Sequence, residues 1–60
     1  MERLLFTPEE VAEMLSLGRS TIYVLMASGS LGSVRVGRAR RVPVTAVREY
    51  VEQLIHEEAA

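Results

Sequence analysis

Cysteine is absent from the 60 residues, which excludes disulfide staples and any thiolate zinc site. Lysine, aspartate and asparagine are missing too, so every strong positive charge is a guanidinium and every side-chain carboxylate a glutamate. A GC-rich coding sequence accounts for these gaps as well as selection does. Either way, guanidinium grips phosphate bidentately and suits a narrow groove better than ammonium. Long apolar runs are also lacking. The opening Met1-Glu2-Arg3-Leu4-Leu5-Phe6 includes an acid and too few apolar residues for a signal peptide. Nothing approaches the roughly 20 residues of a membrane span. The chain is expected to be soluble and cytoplasmic, with no membrane partner.

Catalytic and metal-binding constellations are equally scarce. His56 has no cysteine or second histidine with which to share a metal. Serines and threonines fall in caps and turns without an orienting base, and no two glutamates pair across a plausible cleft. No enzyme activity, metal or cofactor is expected. At this length one domain is expected, burying only about 60 % of the surface that its unfolded chain exposes.

What is present is a segregated charge. The formal net charge is −1, yet Glu13 and Glu49 bracket a stretch without a carboxylate that holds six of seven arginines: Arg19, Arg35, Arg38, Arg40, Arg41 and Arg48. A cationic middle between acidic ends points to a polyanion partner.

Local signals arrange that stretch. Thr7-Pro8-Glu9-Glu10 reads as a capping box opening a helix over residues 8–16, with Val11, Ala12 and Leu15 on its buried face. Ser16-Leu17-Gly18 breaks it; Leu17 should plug the corner, and Gly18 should take unusual backbone angles or the cap. A second helix spans 19–28, with Ile22, Leu25 and Met26 inward and Gly29 as its C-cap. Two short helices across a tight turn make a helix-turn-helix, whose second helix presents its N-terminal face to a major groove. Leu31 returns to the core.

Residues 33–43 read as a two-stranded ribbon, with Val34 and Val36 on one face, Arg35 on the other, and Gly37-Arg38-Ala39 as the turn. Pro43 closes the second strand at an edge. Thr45 should cap a last helix over 45–57, whose stripe Val47, Tyr50, Val51, Leu54 and Ile55 should complete the core. The fold class is mainly α with a small β-hairpin: a winged helix-turn-helix of three helices and a two-stranded wing.

Candidate DNA contacts follow from charge and position. Cationic Arg19 opens a helix whose positive dipole end disfavours it, and a phosphate there reverses the sign. Ser20 and Thr21 add hydroxyls; Tyr23 is read as a phosphate contact, the alternative being a partly buried core aromatic. Val24 and Ala27 can touch thymine methyls but cannot donate to a base edge, so direct readout should be modest. Arg35, Arg38, Arg40 and Arg41 repel one another with no acid nearby in sequence, a strain that a polyanion relieves.

With these residues in order, the chain resembles the excisionase family of small winged helix-turn-helix proteins, themselves similar to the DNA-binding heads of mercury-resistance (MerR) type regulators. The resemblance runs from Leu5 to Val51. It rests on Thr7-Pro8-Glu9-Glu10-Val11-Ala12 with Leu15, Arg19-Ser20-Thr21-Ile22-Tyr23 with Leu25, Ser28-Gly29 with Leu31, Val34-Arg35-Val36-Gly37-Arg38, and Arg41-Val42-Pro43 with Ala46 and Tyr50. It implies a first helix crossing the DNA backbone, a second in the major groove, and a wing along an adjacent minor groove. Departures are Val24 and Ala27 for long polar residues, Ser16 for a turn glycine, Gly32 for a proline and Arg40 for an aromatic.

The implied function is that of an excisionase, a recombination directionality factor from a phage or integrative element. It would bind and bend double-stranded DNA and assist a site-specific integrase. Bending 20–30 base pairs costs on the order of 1–6 kcal/mol, so cooperative binding to tandem sites by a protein monomeric in solution is expected. A transcriptional regulator of a mobile element would use the same surface. A protein-interaction module built on the last helix is the third reading.

Overall fold

A computed structural model describes residues 3–59. The first turn of α1 (Pro8–Leu15) is locked by the capping box. Thr7 Oγ1 accepts from the Glu10 amide at 3.1 Å, and Glu10 Oε1 accepts from the Thr7 amide at 2.8 Å. Arg3 donates to the same carboxylate, with Nη2 2.7 Å from Oε1, and its guanidinium lies 4.7 Å from the centre of the Phe6 ring. The Arg3 side chain and the Thr7 amide together hold the Glu10 carboxyl down at about 2.

The helix ends at Ser16, which adopts the left-handed conformation (φ 57°, ψ 40°), while the Leu17 amide donates back to the Ala12 carbonyl at 2.9 Å. Of the two roles expected of Gly18, unusual angles or the cap, it takes the cap. Gly18 is ordinary extended backbone (φ −69°, ψ 149°) and serves as N-cap of α2 (Arg19–Ser28). The left-handed turn must follow the last helical residue directly, and that position holds a serine. Leu17 is 38 % exposed and plugs nothing. Buried Val11, Ala12 and Ile22 belong to the core between the helices instead. Ser16→Gly should raise stability by about 0.5–1 kcal/mol, because it removes a Cβ from left-handed backbone at some cost in unfolded-chain entropy. A thermal melt checks this; a lower Tm would mean that the serine side chain stabilises the turn by more than its backbone costs.

Gly29 (φ 83°) caps α2, and the Leu31 amide reaches the Leu25 carbonyl at 3.1 Å, carrying Leu31 into the core. Then β2 (Val34–Val36) and β3 (Ala39–Pro43) form the antiparallel wing, with Val34 opposite Arg41, Arg35 opposite Arg40 and Val36 opposite Ala39. Ala39 is therefore already paired, and the turn is only Gly37-Arg38. Positive φ occurs at Gly37 (62°) but not at Arg38, the pattern of a type II′ hairpin.

Two expectations about the sheet change. Leu5–Phe6 forms a strand, β1, which pairs with β3 (Leu5 opposite Pro43, Phe6 opposite Val42), so the order is β1-β3-β2. The wing is thus rooted in a three-stranded sheet. Pro43 closes its central strand rather than an edge. A proline is tolerated there because it is the last residue of the strand, and the next amide, Val44, resumes bonding to the Leu4 carbonyl at 2.8 Å.

Helix α3 (Val44–Ala59) follows β3 directly, so Thr45 lies within its first turn and is not the cap. Only its base joins the core, through Val47 with Ala46 and Tyr50. Leu54 and Ile55, expected to be buried, are 40 % and 59 % exposed. Sixteen helical residues extend about 24 Å. Among the described residues, no helix is long and apolar enough to cross a membrane.

Candidate nucleic-acid interface

The two helix N-termini are built oppositely. The start of α1 is closed by its own hydroxyl and carboxylate. The start of α2 has a glycine cap, no side-chain cap bond and no acidic residue in its first turn. Arg19, Ser20 and Thr21 are exposed there, and the two hydroxyls make no hydrogen bond among the described residues. Amides, hydroxyls and a guanidinium gathered at a positive dipole end suit an anion.

Beyond that turn, Val24 is 65 % exposed and Ala27 is also exposed, giving α2 an apolar outer face. Tyr23 and Ala27 line an open groove of about 230 Å³ with Met26, Ser33 and Arg40. The groove joins α2 to the wing and brings Arg40 beside the helix. Arg40 Nη1 donates to Ser33 Oγ at 3.4 Å, and Arg41 Nη1 donates to the Arg40 carbonyl at 2.8 Å. Arg35 stands opposite Arg40 on the same face of the ribbon, and Arg38 occupies the turn. Among the described residues, Arg19, Arg35, Arg38, Arg40 and Arg41 form no salt bridge.

One part of this surface escapes a sequence reading. Tyr23 Oη donates to Glu9 Oε2 at 2.8 Å, tying α2 to the first turn of α1. That hydroxyl is the main reason why the Glu9 carboxyl lies below the usual carboxylate range, with lesser help from Arg19 and Arg41; Glu9 pushes the Tyr23 phenol up in return. Arg19 and Arg41 thus both act on the carboxylate that Tyr23 holds. Glu9 reads from sequence only as a dipole partner for α1, and a separation of 14 residues gives no local signal of its meeting with Tyr23. Met26 and Ser33 join the groove for the same tertiary reason. Among the described residues, no three His or Glu side chains gather to hold a metal.

Comparison with known proteins agrees with this architecture. A family model described as a helix-turn-helix domain matches residues 5–54. A Saccharopolyspora erythraea protein named "Probable excisionase" is 50 % identical over 58 residues, 97 % of this chain and 59 % of that protein. A Streptomyces ambofaciens protein named "Excisionase" is 40 % identical over 53 residues, 88 % of this chain and 86 % of that one. The chain therefore spans most of the second relative but just under three fifths of the first. No solved structure gives a significant match. A helix-turn-helix match over most of the chain, with identity running nearly the whole length of the Streptomyces protein, means that the chain belongs to the excisionase family of helix-turn-helix DNA-binding proteins.

Proposed function

We propose that this protein binds and bends double-stranded DNA beside an attachment site and so helps the integrase of a phage or integrative element to run excision. The observation that carries the reading is an α2 N-terminus without a side-chain cap bond, on a helix that borders a wing whose arginines lack salt-bridge partners among the described residues. Proposed contacts are Arg19, Ser20 and Thr21 to backbone phosphate, Val24 and Ala27 to thymine methyls, and Arg35, Arg38, Arg40 and Arg41 along a neighbouring groove. Tyr23 completes the α2 face. The names of the two relatives support the role in excision. Nothing in the face looks catalytic, so its contribution is to occupy, bend and recruit, with several copies sharing the cost of the bend.

Excision is tested with the candidate integrase and attachment sites, with and without the protein. Recombination should rise in its presence; no change would remove the excision role and leave DNA binding standing. Duplex binding itself should show a log–log salt slope of roughly −3 to −6, for about four to six phosphates. A slope near zero would remove the DNA reading.

A second reading is favoured by one observation, the exposed Leu54 and Ile55 on α3. A protein-interaction module of that kind would bind DNA weakly and indifferently to Arg38→Ala. The DNA reading expects Arg38→Ala to flatten the salt slope.

A further inference from the structure

Glu9 brings a negative charge into a surface otherwise built to receive one. It is exposed in the first turn of α1, where Glu10 already supplies the capping carboxylate, so Glu9 is not needed to close that helix. Its partners come from elsewhere in the fold: Tyr23 of α2 at 2.8 Å, with Arg19 of α2 and Arg41 of β3 within electrostatic reach. A hydroxyl on the carboxylate, with two guanidiniums in its field, is the same chemistry that would receive a backbone phosphate. Tyr23 has one hydroxyl proton. While that proton is donated to Glu9, it is not donated to DNA.

We infer that Glu9 is a built-in counter-anion of the DNA face, standing in for one backbone phosphate that a duplex must displace. The inference rests on the proposed DNA-binding role and adds a restraint to it. When DNA arrives, the Tyr23 hydroxyl and the two guanidiniums turn to a phosphate, and the carboxylate left behind repels the strand. The penalty falls on every duplex alike, because it involves no base. Its use is to keep a small cationic face from being absorbed by the roughly 10⁶ or more non-specific sites of a genome. Only sites adding further contacts, or neighbouring copies, would hold the protein.

The test compares two substitutions that change net charge equally. Glu9→Gln keeps an amide oxygen to accept from Tyr23 and removes only the charge. Glu58→Gln is the control, because Glu58 lies toward the end of α3 beside Val51, Leu54 and Ile55, none of them a residue of the DNA face. With a random-sequence duplex at low salt, Glu9→Gln should bind about 5–30-fold tighter, the scale of removing one carboxylate from beside several phosphates. Its salt slope should also steepen. Glu58→Gln should change affinity by less than about two-fold, being a screened charge outside that face. Equal effects of the two variants would reduce Glu9 to generic charge and overturn the inference. So would unchanged or weaker binding by Glu9→Gln, the latter meaning that Glu9 accepts from a base such as cytosine. Thermal melts establish that both variants are folded. Absence of salt-dependent binding by the unsubstituted protein would instead remove the DNA reading itself.

Discussion

Joint replacement of Arg35 and Arg40 by glutamine should leave the free protein slightly more stable and greatly weaken its hold on DNA. The two residues are direct cross-strand partners, so their side chains leave the same face of the wing side by side. Like charges in that position are destabilising by about 0.2–1 kcal/mol. Ser33 offers Arg40 a long hydrogen bond at 3.4 Å, but no carboxylate forms a salt bridge with either arginine among the described residues. Glutamine keeps much of the length and removes the repulsion. The midpoint of a thermal melt should rise by a few degrees. Duplex affinity should fall on the order of 10–100-fold, and the salt slope should flatten by about 1.8, or 0.9 for each lost phosphate contact. Opposite movement of the two readouts is the signature of a charge pair kept for a partner. A lower melting point with unaltered binding would make the wing an ordinary structural hairpin.

The second large effect concerns the core. Ile22→Ala should remove about half of the protein's stability and lower its melting midpoint by roughly 10–30 °C. Ile22 is fully buried, and it sits in one cluster with Val11, Ala12, Leu31, Val42 and Val47, which come from both helices of the helix-turn-helix, the following loop, the sheet and α3. Truncating a buried isoleucine to alanine typically costs about 2–5 kcal/mol. A chain of this length has only about 3–9 kcal/mol in total. No second core stands behind the first, because these six residues and Pro8 are all the buried side chains that the described residues provide. Circular dichroism at the helical minimum and a thermal melt read the outcome. A cooperative transition within a few degrees of the parent would show that the cluster repacks around the vacancy, and the view of Ile22 as its centre would fail.

These two results bear on one design. Residues facing inward are few and indispensable, whereas those facing the proposed DNA carry repulsion that the folded chain tolerates without needing it. The contrast between the helix starts states the same point locally. At the start of α1, Thr7 and Glu10 satisfy free amides from within the chain. At α2 that satisfaction is withheld, and Arg19 stands where the dipole disfavours a cation.

Much of this was legible in the chain because it is decided within a few residues. The capping box, the glycine that ends α2, the glycine at the wing turn and the separation of arginine from glutamate all depend on neighbours in sequence. The αL turn falls at Ser16 and not at Gly18 for an equally local reason. Glycine two positions later was the better chemical candidate for strained backbone, but the helix stopped one residue before the serine. The position of the stop set the geometry, and propensity did not.

By itself, then, the sequence determined a helix-turn-helix with a cationic hairpin, since apolar period, capping residues and charge spacing each act over a turn or a strand. Tertiary structure alone decided that Leu5–Phe6 would complete a sheet around β3, that Leu54 and Ile55 would project beyond the core, and that Glu9 would meet Tyr23 across the helix corner. Those outcomes follow from competition between distant segments for a core too small to cover them all, and no local pattern records which segment wins.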